Sequence, residues 1–166
     1  MAKVLILMGS DSDFDVVKKA AKVLKEMDIS YEIEVCSAHR TPERAKKYAE
    51  EAEQRGVEVV IAAAGMAAHL AGFVAAHTTL PVIGVPIASG ALNGFDALLS
   101  TVQMPPGIPV ATVGINGAEN AGWLACEILS LKYSDLRERL KSKRKEMFDK
   151  VVEKSNKIKS KIKEEI

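Results

Sequence analysis

Two periods of apolar and polar residues alternate along the chain. "KVLILM" at 3–8 is short, apolar and rich in β-formers, and it stops at Gly9. It reads as a strand buried on both faces. Val16, Val17, Ala20, Ala21, Leu24 and Met27 then recur at helical spacing with lysines opposite. "YEIEVC" at 31–36 predicts the second strand. Thr41 reads as the cap of a helix that starts at Pro42 and ends at Gly56. Strands follow at 57–64, 81–86 and 108–115, and helices at 66–77, 93–104 and 118–131. From Tyr133 to Ile166 the chain is highly charged. Leu136, Leu140, Met147, Phe148, Val151, Val152, Ile158 and Ile162 still keep near-helical spacing there. That predicts one long amphipathic helix.

Strands alternating with helices imply βαβ units with right-handed crossovers, hence a parallel sheet covered on both faces. The expected class is α/β, a three-layer sandwich, with residues 1–132 as the sheet domain and 133–166 as a helical extension of it. Five strands at this spacing suit a flavodoxin-like order, 2-1-3-4-5, although periodicity does not read order. Such sheets take ligands at the carboxyl ends of the strands, near the switch point. The extension has no following element to cover its apolar stripe, so it is expected to pack on its own domain or, at least as readily, to meet a neighbouring subunit.

Composition narrows the partners. The net charge of +1 gives no electrostatic reason to expect nucleic acid or a membrane surface, and Glu and Asp interrupt the Lys-rich face of the extension. No apolar run is long enough to span a bilayer. Met1-Ala2-Lys3 leads straight into a strand, without the charged and apolar regions of a signal peptide. Cys36 and Cys126 both fall in apolar segments and read as reduced core thiols, so the expected location is the cytoplasm.

The unusual residues gather at strand ends. After the first strand, "GSDSD" at 9–13 combines a turn-forming glycine with the hydroxyls of Ser10 and Ser12 and the start of a helix, where free N–H groups favour an anion. Asp13 suits sugar hydroxyls, or is a favourable first-turn charge. After the second, "SAHRTP" at 37–42 sets a forked cation, Arg40, beside His39, which exchanges a proton near neutrality. After the third, "GMAAHLAG" offers glycines for close backbone approach. There His69 reads as a second site histidine or, favoured by its small apolar neighbours, as a buried structural one. His77 reads as structural or exposed. "PIASGALNG" follows the fourth strand. A ligand the size of a nucleoside monophosphate, with acid/base work at His39, is the natural inference. The scattered histidines lack metal-ligand spacing, and no G-x-S-x-G elbow, P-loop or dinucleotide fingerprint is present.

In order, "MGSDSD", "SAHRTP", "AAHLAG", "PVIGVP" and "VQMPPGIPVATVGI" resemble the N5-carboxyaminoimidazole ribonucleotide mutase family over about residues 3–132. The resemblance implies a flavodoxin-like octamer without metal or organic cofactor. It implies conversion of N5-carboxyaminoimidazole ribonucleotide to 4-carboxy-5-aminoimidazole ribonucleotide in purine synthesis, and coupling to an ATP-dependent synthetase. Matched residue by residue, it places Ser10 and Arg40 on the substrate phosphate, Asp13 on the ribose and His39 as acid/base. Ser12, Ser37, Gly65, His69, Leu70 and Ser89 complete the expected substrate-binding set. Met66 and Ala71 depart from the usual glycine and proline, and Met66 adds bulk where carbon dioxide would sit. Direct carboxylation of 5-aminoimidazole ribonucleotide is therefore the alternative reaction, although "AAHL" and Arg40 favour the mutase. A non-catalytic flavodoxin-like module fits poorly. Ala63-Ala64-Gly65 stands where a receiver domain wants aspartate, and the one tryptophan, Trp123, lies in an apolar helix.

Overall fold

A computed structural model describes residues 3–165, with 163 and 164 described by their backbone alone. The readings made on Met1, Ala2 and Ile166 lie outside the described residues. Five strands form one all-parallel sheet: β1 Val4–Met8, β2 Tyr31–Val35, β3 Val59–Gly65, β4 Val82–Ile87 and β5 Ala111–Thr112. Their spatial order is β2-β1-β3-β4-β5, the expected one. The strand order reverses between β1 and β3, so the switch point lies at their carboxyl ends.

The three inner strands are apolar because both of their faces are covered. Val4, Ile6 and Met8 point toward α1 (Phe14–Glu26) and α5 (Ala118–Ser130). Leu5 and Leu7 point toward α2 (Pro42–Glu51) and α3 (Leu70–Ala75). Each fully buried Leu or Ile contributes about 1.5–3 kcal/mol of transfer free energy. α4 (Phe95–Val102) packs on the second face beside β4. Gly84 makes that approach possible, because a Cβ there would come within 2.4 Å of Thr101. β2 is one open edge. Its Glu32 and Glu34, on the α2 face, pair with Arg55 and Arg44, and both guanidiniums lie over the Tyr48 ring. These charges blunt a strand that would otherwise invite pairing with another chain.

Several predicted elements are shorter than expected. The helix read at 66–77 is only Leu70–Ala75, because Met66 takes φ +55° and Ala68 N–H bonds Met66 C=O in a tight turn. The helix from Pro42 ends at Glu51, and turns carry the chain to Gly56 at φ +81°. Thr41 makes no side-chain cap; its hydroxyl donates to Ser37 C=O instead. The strand read at 108–115 pairs only at Ala111–Thr112, since Pro109 has no N–H and the far edge is open.

The last helix, α6, runs Ser134–Glu165, about 48 Å at 1.5 Å per residue. Leu136 is fully buried and Leu140 packs beside it. Lys143 pairs with Glu26 and Arg144 with Glu127, the last ion pairs to the rest of the chain among the described residues. Beyond them Phe148, Val151, Val152, Ile158 and Ile162 are exposed on a helix with no cover in the single chain.

Candidate active site

All ten residues read from the sequence as site candidates line one cavity of about 550 Å³ at the carboxyl ends of β1–β4. Each strand supplies one wall. After β1, Ser10 caps a short 3₁₀ turn, Asp11–Asp13, by accepting from Ser12 N–H, while Asp13 reaches back to Ser10 N–H at 3.2 Å. This reciprocal box fixes the loop. It also buries the Asp13 carboxylate, and burial raises its pKa although the bonds from Ser10 and Ser12 oppose the shift.

After β2, the corner is tied down by Ser37. Its hydroxyl accepts from Arg40 N–H at 3.2 Å, and its carbonyl accepts from Thr41 N–H at 2.8 Å. The tie turns His39 and Arg40 outward, and both are exposed at the cavity. Among the described residues the Arg40 guanidinium makes one long bond, to Gly9 C=O at 3.4 Å, and no ion pair. It leaves most of its fork available to an anion beside Ser10.

After β3, Gly65 runs close under the loop that follows β4. A Cβ at residue 65 would lie 2.5 Å from Ser89 Oγ. Ser89 Oγ is buried and has no hydrogen-bond partner. Asn116 holds this loop by accepting from Ala88 N–H.

His69 corrects the expectation that its neighbours bury it. It is exposed at the cavity, and its Nδ1 lies 3.2 Å from His39 Nε2. One ring must donate and the other accept, so the proton on the donor nitrogen has an acceptor in place. Phe73 meets His69 edge-on, with centroids 5.8 Å apart, and His77 stacks on Phe73 at 4.5 Å. His77 is partly buried and donates to Phe73 C=O, a structural role. The signal for the histidine pair was in the sequence, where His69 also reads as a second site histidine. His69 lies four residues past a strand end on the same sheet edge as His39.

A second groove, of about 600 Å³, opens at the amino ends of the strands beside Lys3, Lys25, Tyr133 and Arg139. It is larger, but Lys3 is committed to Glu58 and Tyr133 and Arg139 to Asp135. The carboxyl-end cavity, which among the described residues keeps its arginine and histidines out of ion pairs, is the candidate site. Among the described residues no cluster of three or more His, Cys, Asp or Glu side chains has metal-holding geometry.

A doubly wound sheet with hydroxyls, a free arginine and a histidine pair at its switch point defines a protein built for a small phosphorylated ligand. The chain belongs to the AIR carboxylase family, whose model matches residues 3–150. It is 65% identical over 147 residues to the N5-carboxyaminoimidazole ribonucleotide mutase of Pyrococcus abyssi, covering 89% of this chain and 84% of that protein. The Bacillus subtilis mutase is 53% identical over 155 residues, covering 92% and 96%. The crystal structure of Treponema denticola PurE superposes with a TM-score of 0.85 at 34% identity, covering 93% of this chain and 96% of that one.

Proposed function

We propose that this protein is an N5-carboxyaminoimidazole ribonucleotide mutase, an isomerase of purine biosynthesis that moves a carboxyl group from the exocyclic nitrogen to ring C4. One observation carries the reading: four strand ends bring an anion corner, a buried carboxylate and a histidine pair into a single cavity. Ser10 and Arg40 hold the phosphate, and Asp13 takes the ribose hydroxyls. Ser12, Ser37, Gly65, Leu70 and Ser89 shape the remaining walls.

The reaction needs a proton returned to where it started. His39, protonated, gives its proton to the exocyclic nitrogen as the N–C bond breaks and carbon dioxide is released. Ring C4 then attacks the trapped carbon dioxide, and the C4 proton passes to His39. Atoms and charge balance without any external reagent. His69 steadies His39 through their contact. Holding carbon dioxide beside C4 matters more here than a strong nucleophile.

The same reading makes the protein a cytoplasmic homo-oligomer, with an octamer as the assembly. It is supported by exposed Leu92, Phe95 and Leu99 on and beside α4, and by the bare apolar stripe of α6. A chain ending at Leu131 should give a smaller assembly by light scattering; an intact octamer would remove α6 from the interface. Substrate would come from an ATP-dependent carboxylation of 5-aminoimidazole ribonucleotide.

A paired assay tests the function. One reaction holds N5-carboxyaminoimidazole ribonucleotide without bicarbonate, and the other holds 5-aminoimidazole ribonucleotide with physiological bicarbonate. Conversion in the first alone is the expected result. Efficient conversion in the second at low bicarbonate would make the protein a direct carboxylase.

A further inference from the structure

Among the described residues four non-glycine positions have left-handed backbone: Asp28, Met66, Asn93 and Asn116. Asp and Asn enter this region readily, because their short side chains bond the local backbone. Methionine has no such relief. Met66 is held at φ +55° by its neighbours: its carbonyl accepts from Ala68 N–H at 2.8 Å, and Gly65 is wedged beneath Ser89.

Burial does not explain the strain. The Met66 side chain is 61% exposed, and it stands at the mouth of the cavity in the turn that carries His69. Glycine would fit this backbone without penalty and would sacrifice no core packing. Backbone strain that packing does not repay marks a functional position.

The chemistry at that end of the cavity supplies the function. Arg40 and Ser10 line the same cavity beside the first loop, where the proposed reading seats the phosphate. Carbon dioxide carries no charge and takes no strong hydrogen bond, so polar groups cannot hold it. Walls must. An unbranched thioether with three rotatable bonds adapts its shape to a small apolar guest.

We infer that Met66 is an apolar cap over the reacting end of the pocket, a positioning residue that keeps released carbon dioxide beside ring C4 and keeps water out. This rests on the mutase reading given above. In the step it serves, the N–C bond has broken, the exocyclic nitrogen has taken the His39 proton, and the C4–C bond has not yet formed. Escape of carbon dioxide at that moment leaves 5-aminoimidazole ribonucleotide as a side product.

The test compares wild type, Met66→Gly and Met66→Leu with N5-carboxyaminoimidazole ribonucleotide in carbon-13 bicarbonate, after subtraction of enzyme-free decarboxylation. The readouts are the ratio of 5-aminoimidazole ribonucleotide to 4-carboxy product, the label in that product, and the melting temperature. Met66→Gly should raise both the ratio and the label by about fivefold or more, with KM within about twofold, as expected when a water-excluding group is removed. Its melting temperature should equal or exceed that of wild type. Met66→Leu should restore retention. Equal ratios and labels in wild type and Met66→Gly would overturn the cap while leaving the reaction standing. A lower melting temperature with unchanged partition would assign Met66 to packing and overturn it too. Absence of 4-carboxy product from wild type would instead remove the mutase reading beneath it.

Discussion

The two ends of the sheet spend their polar groups differently. At the amino end, Glu58 accepts from Lys3, Lys132 and Tyr133, and Lys3 also donates to Tyr133. At the carboxyl end, Arg40 makes one weak bond, Asp13 is buried with its pKa raised, and Met66 is strained. Among the described residues each end holds one buried side-chain polar atom without a partner, Arg139 Nε below and Ser89 Oγ above. Arg139 still has its ion pair with Asp135, whereas Ser89 has nothing else to offer. Satisfied polar groups hold the fold, and unsatisfied ones, kept at a cost, mark where a ligand completes the structure.

His39→Asn should break the carboxyl end most severely. The exchange leaves a smaller polar amide in place of the ring and removes a group that gives and takes protons. Turnover should fall by about 10²–10⁴-fold, the usual contribution of acid/base catalysis. Substrate-analogue affinity and melting temperature should hardly move. Turnover within a few-fold of wild type would take the proton step away from His39.

Arg40→Ala should come next. It removes an exposed fork that does little for the fold, so the loss should appear in binding. A charge-assisted bond contributes about 1.5–3 kcal/mol, or roughly 10–150-fold in affinity. Inorganic phosphate competing equally well against wild type and variant would place the anion elsewhere.

The amino end answers in stability. Burial opposes the Glu58 carboxylate, but bonds from Lys3, Tyr133 and Lys132 outweigh it and pull its pKa down to about 2. A free glutamate titrates near 4.3, so Glu58 supports the fold above about pH 4.3 and loses that support as pH falls toward 2. Asp13 has the opposite sign. Its raised pKa costs stability at neutral pH, and protonation in acid relieves that cost. Glu58→Gln should cost about 2 kcal/mol at pH 7, flatten the acid limb of the stability curve, and leave turnover of the folded protein unchanged. Loss of turnover without loss of stability would join this cluster to the site.

The same contrast explains what the sequence could reveal. Continuous apolar runs gave the three inner strands, because burial on both faces writes itself into every residue of β1 and β4. Strand ends pointed to the candidate site, because Ser10, His39 and Arg40 break the apolar runs at one edge of the sheet and share one cavity. The limit of α3 was hidden, since helical spacing from Met66 to His77 says nothing of a left-handed backbone at its first residue. His69 was misjudged for a related reason. Its apolar neighbours Ala68 and Leu70 are indeed buried, but a turn at 66–69 aims the ring between them outward. β5 shrank because an edge strand pairs on one side only, which local pattern does not encode.

Ser89→Ala should give the smallest change and the finest test. A buried hydroxyl with no partner costs the fold its desolvation, so removing it should leave stability unchanged or raise it by about 1 kcal/mol. The site should lose at the same time, because the hydroxyl that lacks a partner in the folded chain is one a bound ligand can use. KM should therefore rise several-fold while the melting temperature holds or climbs. That opposition is the signature of a group held for binding. Loss of stability together with unchanged KM would put Ser89 with the amino-end cluster, among the residues that hold the fold.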